Sequence, residues 1–386
     1  MKQRSERADT KYILHSLFSI HLSYAGTMNN NTKVNASEFY VEYFGHRVEH
    51  LRQIVPHLRA ASDRILWTAG DSSLDNKYWF NSRAAAPRVY RDVLEPPQCK
   101  QDVTYWLNYL CENNAQGSCS RSSSSSAESN LLRQRTVAIN TAVEATTLNE
   151  RTFRLRPQDV FIRDNIQTQD VLIVSVGGND VALMPCPCTI ASILGLALCL
   201  PAACTERGCT VGTVPVDDCC CGCGPSLCSC ACACPPCLGY NRHLFGTRIQ
   251  KYIEKLVSKT KPSKILVCMI YYPDERNAPG WAGPALGALG YNRNPEKLQL
   301  LIRKAFDDAI SKIRIPGTQV IPVPLFRVLE GKFSSDYVAR VEPSPSGGRK
   351  MAEFILDLMD QHPNFQTSES GAEPTAPLTS YMQERS

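Results

Sequence analysis

Two periodicities share this chain. Short apolar runs rich in valine and isoleucine recur at 65–69, 136–139, 171–176, 265–271 and 319–323. Runs this short, apolar throughout rather than alternating, predict strands buried on both faces. Between them the spacing turns helical. Phe39, Val41, Tyr43, Val48, Leu51, Ile54, Val55 and Leu58 form one stripe behind Ser37, which reads as an N-cap, and together they predict a helix over 38–60. Further helical patterns cover 245–259, 295–313 and 348–361, the last with Met351, Phe354, Ile355, Leu358 and Met359 on one face. A helix is also expected just beyond the turn that ends the first strand. Strand alternating with helix predicts an α/β fold, with a five-stranded parallel sheet covered on both faces.

The polar stretches divide the chain. Residues 1–37 read as a flexible N-terminal segment, 38–362 as one α/β domain carrying a cysteine-rich insertion at 186–237, and 363–386 as a disordered tail rich in Ser, Glu, Pro and Thr. Pro96-Pro97 marks a loop, and the serine run 120–126 reads as an excursion. Lys2, Arg4 and Arg7 precede an apolar stretch that His15 and His21 interrupt, which makes a poor signal-peptide core and reads as a surface segment. No apolar window is long and clean enough for a spanning helix. The net charge of +5 over 386 residues is mild and comes without a long basic run, so no nucleic-acid partner is expected. A soluble, intracellular setting is the expectation, and oligomeric state is not legible.

The candidate chemistry lies at two strand ends. The first strand runs into Gly70-Asp71-Ser72-Ser73-Leu74, and the third runs into Gly177-Gly178-Asn179-Asp180. A serine at the carboxyl end of a strand stands where ligands bind in open α/β sheets, and the following backbone N–H groups can face developing negative charge. This pair of motifs, in order and each on a strand end, resembles the SGNH hydrolases, also called GDSL esterases and lipases. The resemblance implies a three-layer α/β/α sandwich, flavodoxin-like, and a serine esterase or acyl hydrolase working through an acyl-enzyme on a small-molecule, lipid or carbohydrate ester. It implies Ser72 as nucleophile and the Asn179 side-chain amide as an oxyanion donor. Ala145 holds the place of the family glycine whose backbone N–H, with that of Ser72, completes the oxyanion hole. Asp71 and Gly178, beside these residues, are expected to line the substrate.

The family's closing Asp-x-x-His block has no match here. Glu342 occupies the histidine place and Ala339 the aspartate place, ahead of Pro343 and a helix start near Ser344. A carboxylate is a poorer base than imidazole near neutral pH, and the helix start would depress its basicity while desolvation would raise it. Three outcomes stay open. Glu342 is the base, or His243 reaches the site from beside the insertion, or the fold binds a ligand without turning it over. Asp75 and Asn76 read as caps of the following helix.

Of 18 cysteines, 14 fall between Cys186 and Cys237. Cys220-x-x-Cys223 and Cys234-x-x-Cys237 have zinc-knuckle spacing, so zinc is possible in the insertion although the esterase chemistry needs no cofactor. Disulfides, lipidated thiols and a low-complexity loop without fixed ligands are the competing readings. A metal-binding interaction protein built on this insertion therefore stands beside the hydrolase and the inactive binding fold.

Overall fold

The computed structural model describes residues 33–117, 131–183 and 243–362. The cysteine-rich insertion, the serine run and the C-terminal tail lie outside the described residues, and so does the zinc reading. Five strands form one parallel sheet: β1 (Arg64–Gly70), β2 (Thr136–Asn140), β3 (Val171–Ser175), β4 (Lys264–Met269) and β5 (Gln319–Pro324). Their order is β2-β1-β3-β4-β5, that of a flavodoxin-like doubly wound sheet. Pro322 and Pro324 are tolerated because β5 is an edge strand.

Alternate residues of each strand serve opposite faces. Ile65, Trp67, Val137, Leu172, Val174, Ile265 and Val267 pack under α1 (Val48–Ala61), α3 (Pro157–Asn165), α4 (Ile249–Leu256) and α5 (Pro295–Asp308). Leu66, Ala138, Ile173, Leu266, Ile321 and Val323 pack under α2 (Val103–Gly117) and α6 (Pro345–Gln361). The molecule is thus a three-layer α/β/α sandwich. In register, Gly70 pairs with Ser175 and Thr68 with Asn140. The segments leaving β1, β2 and β3 therefore emerge together at the carboxyl edge, where the winding reverses around β1.

Several local expectations change. The helix foreseen over 38–60 is two helices, Ala36–Phe39 and Val48–Ala61. Asn35, not Ser37, caps the first by accepting from the Ser37 and Glu38 N–H groups at 2.8 and 3.2 Å. Two features end it: Gly45 is left-handed at φ +78°, and His46 Nδ1 bonds the Phe39 carbonyl at 2.6 Å. Beyond the Ser72 turn comes only a single 3-10 turn, Lys77–Trp79, and the next long helix waits until Val103. The reason is that Asp75 and Asn76 do not serve as its caps but bind distant backbone and side chains, described below. Helices α2 and α3 escaped the periodicity argument. Val34–Asn35 pairs in parallel with Leu94–Glu95. Among the described residues no helix is long and apolar enough to cross a membrane.

Candidate active site

The Ser72 turn is fixed from β3. Gly70 sits at φ +128°, and a Cβ there would stand 1.7 Å from the Ser175 carbonyl oxygen. Only glycine lets the two strands approach this closely. Asp71 N–H then donates to the Ser175 carbonyl at 3.0 Å, while Ser73 donates from its N–H and its hydroxyl to Asp71 Oδ1 at 3.1 and 2.7 Å. These bonds shape the turn and leave the Ser72 N–H without an acceptor among the described residues. Asp71 is buried and shapes the Ser72 turn through its bonds to Ser73. Burial pushes its carboxyl up to about 6, against the two Ser73 donors and Arg151.

The loop after β2 is pinned to the same point. Val143 N–H donates to the Gly70 carbonyl at 3.0 Å, and Arg151, buried at α-helix Leu148–Arg151, donates from Nη2 to that carbonyl at 2.9 Å and from Nη1 to Thr146 Oγ1 at 2.7 Å. Asn179 Nδ2 donates to the Thr146 carbonyl at 3.1 Å, and Asp180 accepts from the Leu148 and Asn149 N–H groups at 2.7 and 3.0 Å. The third-strand motif and the Ala145 loop are therefore stapled together. One N–H of the Asn179 amide is used, and the other makes no bond among the described residues. Ala145 occupies the left-handed region at φ +54°, a conformation that favours glycine, and its N–H has no acceptor among the described residues. Gly178 opens the helix Gly178–Ala182, and a Cβ there would meet only Ile270 at 3.4 Å.

Glu342 arrives from the other side. It lies on a two-residue strand, Glu342–Pro343, paired antiparallel with Tyr337–Val338 across a tight turn in which Ala339 and Arg340 have φ of +49° and +74°. Arg340 is buried and holds that turn through the Asp274 carbonyl and Asn292. Tyr271 donates to the Val341 carbonyl at 2.7 Å, and Asn76 Nδ2 to the Pro343 carbonyl at 2.8 Å. The Glu342 carboxyl is buried against the Ser72 hydroxyl. Burial pushes it up to about 8; the Ser72 hydroxyl and the Trp281 N–H oppose this, while the charges of Asp71 and Asp75 add to it. Of the two opposing effects foreseen for this residue, desolvation outweighs the helix start capped by Ser344. Glu342 Oε2 and Trp281 Nε1 are both buried without a hydrogen bond.

Behind the serine lies a polar layer that the motifs do not announce. Asp75 is fully buried; it accepts from Lys77 Nζ at 2.7 and 2.9 Å, from Asn140 Nδ2 at 2.9 Å and from the Glu144 N–H at 3.0 Å. Asn76 Oδ1 accepts from the Val103 N–H at 3.2 Å. Glu144 accepts from Trp79 Nε1 at 3.1 Å through Oε1, whereas its Oε2 is buried and unbonded. Sequence spacing could have flagged Glu144, because it adjoins Ala145, but nothing in the chain marks it as buried. His243 is buried in a single π-helical turn, His243–Arg248, whose Phe245 packs on Gly177. Among the described residues no cluster of His, Cys, Asp or Glu is arranged to hold a metal, and Cys99, Cys111 and Cys268 are buried free thiols.

Neither a family model nor a curated protein sequence matches the chain. Among solved structures it is similar to one described as a GDSL-like lipase from Parabacteroides merdae, at 13% identity and a TM-score of 0.36 over 77% of this chain and 95% of that one. It is also similar to an acetyl xylan esterase from Geobacillus stearothermophilus, at 11% identity and 0.33 over 78% and 95%. A third is a carbohydrate acetylesterase from Sinorhizobium meliloti, at 12% identity and 0.35 over 78% and 99%.

Proposed function

We propose that the chain is a serine acyl hydrolase of the SGNH type, acting on an ester-linked acyl group with Ser72 as nucleophile and Glu342 as its base. The observation that carries this reading is the hydrogen bonding that gathers the Ser72 turn, the Ala145 loop and Asn179 at the carboxyl edge of the sheet, where the buried Glu342 carboxyl faces the Ser72 hydroxyl. Ser72 Oγ attacks the ester carbonyl carbon as Glu342 takes its proton. The carbonyl oxygen, now negative, accepts from the Ser72 and Ala145 N–H groups and from the free N–H of the Asn179 amide. Collapse breaks the bond to the alcohol oxygen, which leaves with the proton from Glu342. Water then repeats the sequence on the acyl-enzyme and returns the serine.

A glutamate pushed up to about 8 is a better base than an ordinary carboxylate, because its conjugate acid matches the working pH more closely. Asp71 shapes the turn, and Gly178 leaves the approach to the Asn179 amide open.

The test is labelling with a fluorophosphonate, which reacts with activated serines. The wild type should label, Ser72→Ala should not, and Glu342→Gln should label at least about a hundredfold more slowly. A folded wild type that stays unlabelled overturns the hydrolase reading. Undiminished labelling of Glu342→Gln overturns the base assignment.

A further inference from the structure

A base needs something to orient it, and Glu342 has an unmet atom for that purpose. Its Oε2 is a buried acceptor without a donor, and Trp281 Nε1 is a buried donor without an acceptor. The backbone brings the segments that carry them together. Glu342 follows the left-handed turn at Ala339 and Arg340, and the loop ahead of Trp281 is stitched to that turn. Asp274 N–H donates to the Arg340 carbonyl at 2.8 Å, and Arg340 Nη2 donates back to the Asp274 carbonyl at 3.1 Å. A Cβ on Gly280, the residue before Trp281, would stand 2.6 Å from the Ala339 carbonyl oxygen. A glycine at 280 thus lets the loop lie against the turn, and Ala282, on the other side of Trp281, is fully buried.

We propose that Trp281 is the positioning residue of this site, its indole N–H donating to Glu342 Oε2 so that the other carboxyl oxygen is held for the Ser72 hydroxyl. The inference rests on the assignment of Glu342 as base. An indole N–H is a donor only and carries no charge. It fixes a carboxylate without ion-pairing it, whereas a lysine or arginine in the same place would hold the carboxylate ionised and make it a poor base. One bond satisfies both orphaned atoms, and a buried polar group left unmet costs more than an ordinary bond contributes. The indole does for a carboxylate base what the orienting aspartate does for imidazole.

The other groups around Glu342 are less suited to the task. Tyr271 gives its hydroxyl proton to the Val341 carbonyl, and Trp79 Nε1 gives its own to Glu144. Lys77 directs two N–H bonds to Asp75, and Arg340 faces the Asp274 carbonyl and Asn292. Asp71, Asp75 and Glu144 offer Glu342 no donor when ionised and only repel its charge. The third Lys77 N–H and the Tyr43 hydroxyl are the competing donors. Lys77 acts on Glu144, whereas Tyr43 is raised by burial and then by the charges of both Glu144 and Glu342, so Tyr43 is the control. The Trp281 N–H, together with the Ser72 hydroxyl, already opposes the rise that burial imposes on Glu342.

The full chain, labelled with nitrogen-15 in its tryptophan indoles, is titrated by NMR as wild type, Trp281→Phe, Glu342→Gln and Tyr43→Phe. The Trp281 resonance, assigned by its loss in Trp281→Phe, should move downfield as pH rises through about 8, the value to which burial pushes Glu342. Glu342→Gln should abolish that movement, and Tyr43→Phe should keep it. In parallel, the midpoint of fluorophosphonate labelling against pH should rise by about one unit in Trp281→Phe, because the ionised carboxylate has lost a donor. Phenylalanine keeps an aromatic ring in place, so a merely structural role would leave the midpoint where it was. A Trp281 resonance that does not titrate, or that titrates unchanged in Glu342→Gln, overturns the proposal. So does a midpoint that moves in Tyr43→Phe and stays in Trp281→Phe. Should Trp281→Phe fail to fold, the wild-type and Glu342→Gln titrations still decide, with the resonance assigned through bonds. A Trp281 resonance that titrates with Glu342 in a chain that never labels would leave the hydrogen bond standing and reject the hydrolase reading alone.

Discussion

The two sides of the Ser72 site are built differently. On the oxyanion side, the Gly70 carbonyl, Thr146, Asn179, Asp180 and Arg151 bond one another directly, so that the loops after β1, β2 and β3 form one hydrogen-bonded piece. On the base side, buried carboxyl oxygens of Glu144 and Glu342 and the Trp281 N–H stand unbonded, and two successive residues without glycine's freedom, Ala339 and Arg340, hold left-handed backbone. In the proposed mechanism the first side would receive negative charge on a frame already bonded in place. The second keeps polar groups short of partners, the condition under which protons are held at unusual pH. Stability and reactivity are thereby separated across one cleft.

The contrast can be broken most completely at Gly70. Adding a methyl group there drives a Cβ into the Ser175 carbonyl oxygen from 1.7 Å, and the adjoining strands are the centre of the sheet. Gly70→Ala should lose ~4 kcal/mol or more, seen as loss of the cooperative thermal transition.

Glu342→Gln sharpens it with the opposite sign. The folded protein raises this carboxyl from an ordinary 4.5 to about 8. Its contribution to stability is therefore full below the unfolded value and is lost as pH rises through the folded one. Replacing it with Gln removes that loss. The variant should melt with the wild type at acid pH and be more stable by roughly 3 kcal/mol at neutral pH, rising to roughly 5 kcal/mol at alkaline pH, while labelling falls. A variant less stable at alkaline pH would contradict the burial account.

The smallest effect is expected at Ala145. At φ +54° the methyl group costs about 1 kcal/mol, so Ala145→Gly should raise stability by about that amount in denaturant titrations and preserve labelling.

These differences also explain what the chain disclosed. Strands β1 to β4 were legible to within a residue or two because a run buried on both faces is predominantly apolar, whatever packs on it. The turns that end β1 and β3 were legible because their backbone demands mark the sequence, as with glycine at 70 and 177. Helix α2 was not, since its buried face mixes Val103 and Leu107 with Asn108, whose amide bonds the Ala138 backbone rather than solvent. The break at 40–47 depends on a histidine ring competing for the Phe39 carbonyl, a contact without a periodic signature. Glu144 was hidden for a related reason: a buried carboxylate and an exposed one are the same letter.

The most direct measurement is the rate of fluorophosphonate labelling of Ser72 from mildly acidic to alkaline pH, in the wild type beside Glu342→Gln. The wild-type rate should rise with pH, with its midpoint well above the ordinary carboxylate range, and Glu342→Gln should be slow and flat. A wild-type rise that persists unchanged in Glu342→Gln would contradict the claim that this buried carboxylate activates the serine.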